Sequence, residues 1–335
     1  MKKQITSLLT GALTLALALT MTTTALAAPG GTTQSAARNG AAQTQADRTG
    51  RQWQRTWEGN RIRYTSPVPA EGVHFGGPPD WRLTAVPEGW KLDGVHVTGI
   101  GGNCTWTYRK GADSLKFSCW YPHSGQIGTM LRTEADAASV FHKAAVNGAS
   151  ADFYLDEDRG ILIWENAEGM LCRLEGPLSQ PELETIAATV AETQAEALPV
   201  YQLGWVPEGS TSPSRSTLRE AVREGWTGPD KVSFSWMYAA ASAGALAEPE
   251  GTPETVTVKG VQAKYWAGDP KAEGCLTVSV GSGGAPMQKV LEIPAKDQLS
   301  TLLWTDAATG VSFRLQSVLD GDTLIRIAEH VTVKK

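Results

Sequence analysis

The sequence predicts an α+β protein built of two related modules, each a curved antiparallel sheet with one C-terminal amphipathic helix packed on it. Three observations predict it. Four blocks of residues recur in the same order along the chain. Several stretches alternate apolar and polar residues, the period of a half-buried strand. Each half closes on apolar residues at i, i+3, i+4 and i+7, which form one stripe on a helix.

The first block is Val86-Pro87-Glu88-Gly89, which returns as Val206-Pro207-Glu208-Gly209. With Pro at i+1 and Gly at i+3, it predicts a type I turn. The second block, Val146 to Phe153, returns as Val258 to Tyr265. There Lys259-Gly260 separates two β-rich runs and predicts a two-residue hairpin. The third block pairs Ile161–Trp164 with Thr301–Trp304. The fourth pairs Gly169–Val190 with Gly310–Val331 at a constant shift of 141. Leu302, Trp304, Val311, Phe313 and Leu315 alternate as on a strand. The closing helix of the first copy has Ser179 as cap, Pro181 in its first turn and Glu182 completing a capping box. Its expected stripe is Leu183, Ile186, Ala187 and Val190. The second copy has Asp320 as cap and Leu324, Ile327, Ala328 and Val331 as stripe. The modules are placed at residues 64–190 and 201–335, with 191–200 as linker.

Residues 1–27 read as a signal peptide: Lys2-Lys3, an apolar run from Ile5 to Met21, then Ala25-Leu26-Ala27. The run contains Thr and Gly and is short for a bilayer span of about 20 apolar residues. A secreted, extracytoplasmic protein without an integral membrane anchor is expected. Residues 28–63 are expected to be a disordered tether, poor in large apolar side chains, ending in a segment rich in Arg and Trp. Trp53 and Trp57 are four apart, the spacing of one helix face.

The pattern Leu203-Gly204-Trp205-Val206-Pro207-Glu208-Gly209, Val256 to Tyr265, Leu302 to Trp304, Phe313 to Leu315 and Ile327 to Val331 resembles a bacterial extracytoplasmic repeat-module family of unknown function. Its domains occur in anti-sigma-factor-like envelope proteins of Gram-positive bacteria. The resemblance implies two copies, clearer in the second; in the first, Thr84-Ala85-Val86-Pro87-Glu88-Gly89 lacks the Leu-Gly-Trp lead. It implies a fold and an envelope location, and brings no catalytic residue, metal or cofactor.

The residues themselves offer little chemistry. None of the five His stands in an H-E-x-x-H pattern, and no G-x-S-x-G or S-x-x-K occurs. Gly99–Gly102 and Gly281–Gly284 lack the P-loop ending. His123 lies near Cys119, but a core or disulfide role already accounts for the thiol. Asp152, Asp156, Glu157, Asp158 and Glu165 are the carboxylates a glycan or peptide hydrolase would draw on, read here as a solvated loop. No CxxC pair suggests zinc. Of four cysteines, Cys104 and Cys119 fall opposite each other in a hairpin and are a candidate disulfide; Cys172 and Cys275 read as free thiols.

Net charge is −5, which argues against nonspecific nucleic-acid binding. Arg51, Trp53, Arg55 and Trp57 are the candidate ligand contacts, suited to an anionic or glycan wall polymer. The expected function is an exported, noncatalytic interaction protein of the cell envelope, with a protein or wall polymer as partner. A carboxylate-based envelope hydrolase and an adhesive surface protein are the alternatives.

Overall fold

The computed structural model describes residues 53–66, 80–98, 103–122, 124–228, 233–269 and 299–334. The expected signal peptide, most of the expected tether, Arg51, His123 and Cys275 lie outside the described residues.

The first module contains Trp81–Leu83 (β3), Lys91–Thr98 (β4), Asn103–Lys110 (β5), Asp113–Trp120 (β6), Phe141–Val146 (β8), Ala149–Asp156 (β9), Arg159–Glu165 (β10) and Leu171–Gly176 (β11). It closes with helix Gln180–Ala187 (α1) and Val190–Glu192 (β12). Ahead of it lie Gln54–Glu58 (β1) and Arg61–Thr65 (β2), and Gln126–Met130 (β7) is inserted within it. The second module contains Tyr201–Leu203 (β13), Thr211–Thr217 (β14), Ala221–Thr227 (β15), Ser233–Ala239 (β16), Glu254–Val258 (β17), Val261–Trp266 (β18), Ser300–Thr305 (β19) and Ser312–Ser317 (β20). It closes with Gly321–Glu329 (α2) and Val331–Val333 (β21).

Each module has one seven-stranded antiparallel sheet. The orders are β4-β5-β6-β11-β10-β9-β8 and β14-β15-β16-β20-β19-β18-β17. Counted within each sheet, both run 1-2-3-7-6-5-4. The closing strands repeat too: Val190 pairs with Leu83, and Val331 with Leu203. The internal repeat is therefore one topology used twice.

Local chemistry explains the shared elements. Asn147-Gly148 and Lys259-Gly260 both have positive φ at each residue, the two-residue hairpin geometry with the twist of its strands. Glu182 accepts from the Ser179 backbone N–H at 2.8 Å, and Asp320 accepts from the Thr323 N–H at 2.8 Å. The Ser179 hydroxyl and then its N–H hold the Glu182 carboxyl below its usual range, and the Thr323 N–H does the same for Asp320. Leu183, Ile186 and Ala187 are buried on α1, and Leu324, Ile327 and Ala328 on α2, as the stripes predict.

Three expectations are corrected. The Val-Pro-Glu-Gly turns are framed one residue later: Trp90 N–H donates to Pro87 O, so Gly89 is the third residue, with φ +84. Positive φ there marks a type II turn. Val190 and Val331 are not the last residues of the helix stripes but the first of β12 and β21. Residues 54–58 form a strand rather than a helix, paired to β2, which pairs to β7.

The two faces of each sheet are covered differently. On the first module, α1 packs on one face and the β1-β2-β7 sheet on the other, enclosing Trp53, Ile62, Tyr64, Tyr154, Ile161 and Ile163. On the second module, α2 packs on one face. The other meets the first module, whose main core takes in Leu218, Ala221, Met237, Ala239, Ala243 and Leu246.

Both modules belong to one compact unit. Leu92 exchanges backbone bonds with Ala245 and Ala247 at 2.8 Å. Arg82, partly exposed, meets buried Glu220 at 2.5 Å, and Arg314 meets Asp93 at 3.3 Å with both buried; the two pairs span the junction. The expected linker is itself tied down: Thr193 N–H donates to Asp80 O and Leu198 N–H to Arg219 O.

Candidate functional site

Of the Arg and Trp side chains singled out in the sequence, Trp53, Arg55 and Trp57 pack against the first module. Trp53 is buried, and its indole N–H donates to Gly169 O at 3.0 Å. Arg55 lies 4.6 Å from the Trp57 ring and 4.4 Å from the Phe141 ring. It also pairs with Asp152 at 2.5 Å. Burial disfavours the charged guanidinium, but Asp152, Tyr154 and Tyr64 together outweigh it and raise the pKa of Arg55. Positions 53, 55 and 57 share one face because the segment is extended. These residues bind β1 to the first module, which accounts for them without an external ligand.

Asp152, Asp156 and Glu165 are committed as well, while Glu157 and Asp158 are exposed at the turn, as the loop reading expects. Asp152 accepts from the Tyr64 hydroxyl at 2.5 Å in addition to Arg55. Burial first, then Tyr154 and Asp152, push the Tyr64 hydroxyl well above its usual range. Asp156 accepts from the backbone N–H of Arg132 and Thr133 at 2.5 and 3.0 Å. Glu165 accepts from Trp53 N–H. Asp152 and Asp156 are buried, not part of a solvated loop.

Strand register stacks three cysteines. Cys104 stands opposite Cys119, as the hairpin predicts, and Cys119 stands opposite Cys172. All three are fully buried thiols, with Sγ of Cys119 and Cys172 3.6 Å apart. Burial pushes the Cys104 and Cys119 thiols far up, so neither is a thiolate nucleophile at neutral pH.

Beside this ladder, the first module holds a cavity of about 670 Å³. The size falls within the range of small-ligand sites. Its wall is apolar: Trp81, Trp164, Val146, Ala187 and Val190. Lys143, Asn147, Ser150, Glu165 and Asn166 add polar groups. Trp164 is fixed by its place in the sheet, opposite Cys172 and Ala151. Trp81 is held by β3, where its carbonyl accepts from the Trp106 indole at 3.1 Å, and its ring remains half-buried. Asn166 folds the adjoining turn by accepting from Glu168 and Met170 N–H, while its side-chain Nδ2 is buried without a hydrogen-bond partner.

In the second module aromatic side chains stand at several of the aligned positions. Register aligns Cys104, Cys119 and Cys172 with Val222, Tyr238 and Phe313. Trp81 aligns with Tyr201. Tyr201 is buried, 5.0 Å from Tyr238 and 4.9 Å from Phe313, and Trp304 stacks on Phe313 at 5.0 Å. Along this ladder the first copy carries less aromatic volume, while two residues on, its Trp106 stands where the second copy has Glu224.

Residues 80–190 match the model of a family described as a domain of unknown function, DUF4367. The match covers the first module alone. The sequence pattern is plainer in the second, but residues 267–299 stand there between β18 and β19, where only Glu157-Asp158 separate β9 and β10. No curated protein matches the chain. Among solved structures, it is similar to MucB in complex with MucA(peri), at 10% identity over 74% of this chain and 93% of that one, with a TM-score of 0.21. The Pseudomonas aeruginosa MucA/MucB complex gives 10% identity, 74% and 93% coverage and a TM-score of 0.22. MucB alone gives 13%, 73%, 92% and 0.21. At these scores the likeness transfers no residue and no ligand. Among the described residues, no helix is long and apolar enough to cross a membrane.

Sequence reasoning missed the cavity. Trp164 was legible as a repeated core residue, but Trp81 shows its role only beside β12. The available signal was the aromatic shared with Tyr201 at a shift of 120.

Proposed function

We propose that this chain is an exported, noncatalytic binding protein of the cell envelope, and that the concave cavity of its first module receives an apolar side chain of a protein partner. The observation that carries this is the Trp81–Trp164 cavity beside a second copy whose equivalent aromatics, Tyr201 and Trp304, both pack on Phe313. Indole walls with a few polar groups suit an aromatic or aliphatic anchor. Structural use of Asp152, Asp156 and Glu165 favours binding over a carboxylate hydrolase. Export rests on the basic, apolar and A-x-A pattern of residues 1–27.

The test is copurification from an envelope protein extract and from isolated cell wall, with wild-type chain and Trp81→Ala side by side. A protein retained by the wild type and lost with Trp81→Ala supports the reading. Equal retention by both, or release of soluble sugar or peptide, sinks it. For export, the N-terminus of chain recovered outside the membrane should read Ala28; intact Met1 in the cytoplasm alone would contradict it.

A further inference from the structure

A second cavity, of about 540 Å³, opens at the junction of the modules. Lys91 of β4 and Arg109 and Lys110 of β5 line it from the first module. Glu248, Glu250 and Arg314 line it from the second, and Asp93 lies beside Arg314. Four cations thus meet three carboxylates, in a chain whose overall charge is negative.

The carboxylates are shared. Asp93 lies 3.3 Å from Arg314 and 3.7 Å from Arg109. Glu248 lies 3.4 Å from Lys91 and 3.1 Å from Lys264, which joins from outside the lining. With Lys264, five cations (Lys91, Arg109, Lys110, Arg314 and Lys264) therefore face three carboxylates (Asp93, Glu248 and Glu250), an excess of two positive charges. Burial, followed by repulsion from Arg223 and Arg109, lowers the pKa of Arg314 despite Asp93. The region carries more positive charge than its own acids neutralise.

Lys110 is placed by the first Val-Pro-Glu-Gly turn. A Cβ at Gly89 would lie 3.2 Å from Lys110 Cε and 3.4 Å from its Cδ. Bare glycine with positive φ lets the lysine stem cross the turn to the cavity. Arg109 is only half-buried, and its 3.7 Å contact leaves most of its guanidinium fork open.

We propose that the junction cavity binds a small, multiply charged oxyanion, a phosphate group or a polycarboxylate, held by Lys110, Arg109 and Lys91. The guanidinium offers paired donors to two oxygens, and each ammonium adds a point charge. An added divalent anion would balance the cation excess. This site stands apart from the concave cavity, and either can fail without the other.

The test is calorimetric titration of the purified chain with inorganic phosphate and with citrate, repeated at raised ionic strength and with Lys110→Ala and Arg109→Gln. Lys110 is exposed and takes part in none of the junction's ion pairs, so its variant should unfold at the wild-type midpoint, checked by denaturation. Saturable binding of either anion is expected, weakened about tenfold by each substitution and weakened further by salt. Binding of phosphate alone assigns a phosphate-bearing ligand; binding of citrate alone assigns a carboxylate ligand. No saturable binding of either anion, or unchanged affinity in folded Lys110→Ala, overturns the proposal.

Discussion

The two modules share strand order, hairpin turns and a capped helix, yet their cores differ, among other positions, along a ladder of three. The first holds Cys104, Cys119 and Cys172 and keeps a cavity beside them. The second holds Val222, Tyr238 and Phe313, with Tyr201 packed into the cluster. Backbone topology is set by alternation and turns, which both copies keep. Core volume is set by individual side chains, which diverged. A duplicated fold can therefore retain one copy as a packed support and open the other.

The sheets' outer faces differ in parallel. Arg173 and Arg314 occupy equivalent positions, one bonded to Thr129 of β7 and the other to Asp93 of the neighbouring module. Removing Arg314 takes from buried Asp93 its nearer cation, at 3.3 Å against 3.7 Å for Arg109. Arg314→Ala should therefore cost about 3–5 kcal/mol, the scale for breaking a buried ion pair. Arg173→Ala should cost less, because Lys116 and Arg159 remain at Glu175. Urea midpoints of both variants test this; equal losses would show that the junction is no tighter than the β1-β2-β7 cover.

Exchanging core residues sharpens the comparison further. Phe313→Cys should destabilise by about 3 kcal/mol, since it empties a well-packed aromatic cluster. Cys172→Phe should cost about 1 kcal/mol or less if neighbouring space accepts the ring; a loss nearer 3 kcal/mol would mean the ladder is tightly enclosed. Thermal unfolding of both swaps decides between these outcomes.

The helix caps give a smaller contrast. Ser179→Ala and Asp320→Ala should each cost about 1 kcal/mol. Asp320→Ala should be the larger loss, since its carboxylate accepts directly from Thr323 N–H and hydroxyl.

The smallest expected effect is a pH dependence at the junction. Burial and then Arg223 lower the pKa of His96, whose ring nitrogen lies 3.5 Å from Ser216 Oγ. The unfolded chain then binds this proton more readily than the folded one. Stability should fall as pH drops through the ordinary histidine range near about 6.5. The slope should be shallow, because the ring is largely exposed. His96→Gln should flatten it, measured as urea midpoint against pH.

Some features were legible because their physics is local. Ser179 and Asp320 cap through residues three positions away, and Lys259-Gly260 turns within its own hairpin. Other readings failed where distant partners decide. Trp53 and Trp57 fit a helix by spacing, but pairing to β2 extended them, and Asp152 drew Arg55 inward. Asp156 reads as a loop acid until the backbone of Arg132 and Thr133 surrounds it.

By itself, the sequence determined the duplicated α+β plan, the helix stripes and the hairpin register that sets Cys104 against Cys119. These follow from periodicity, caps and turn conformations acting over a few residues. Only the tertiary structure decided that Cys172 joins that pair, that Trp81 borders a cavity, and that Arg314 reaches Asp93 in the other module. Each depends on which strands become neighbours across fifty to more than two hundred residues of chain. Burial and charge pairing are properties of that assembled packing, which one segment's residue pattern does not specify.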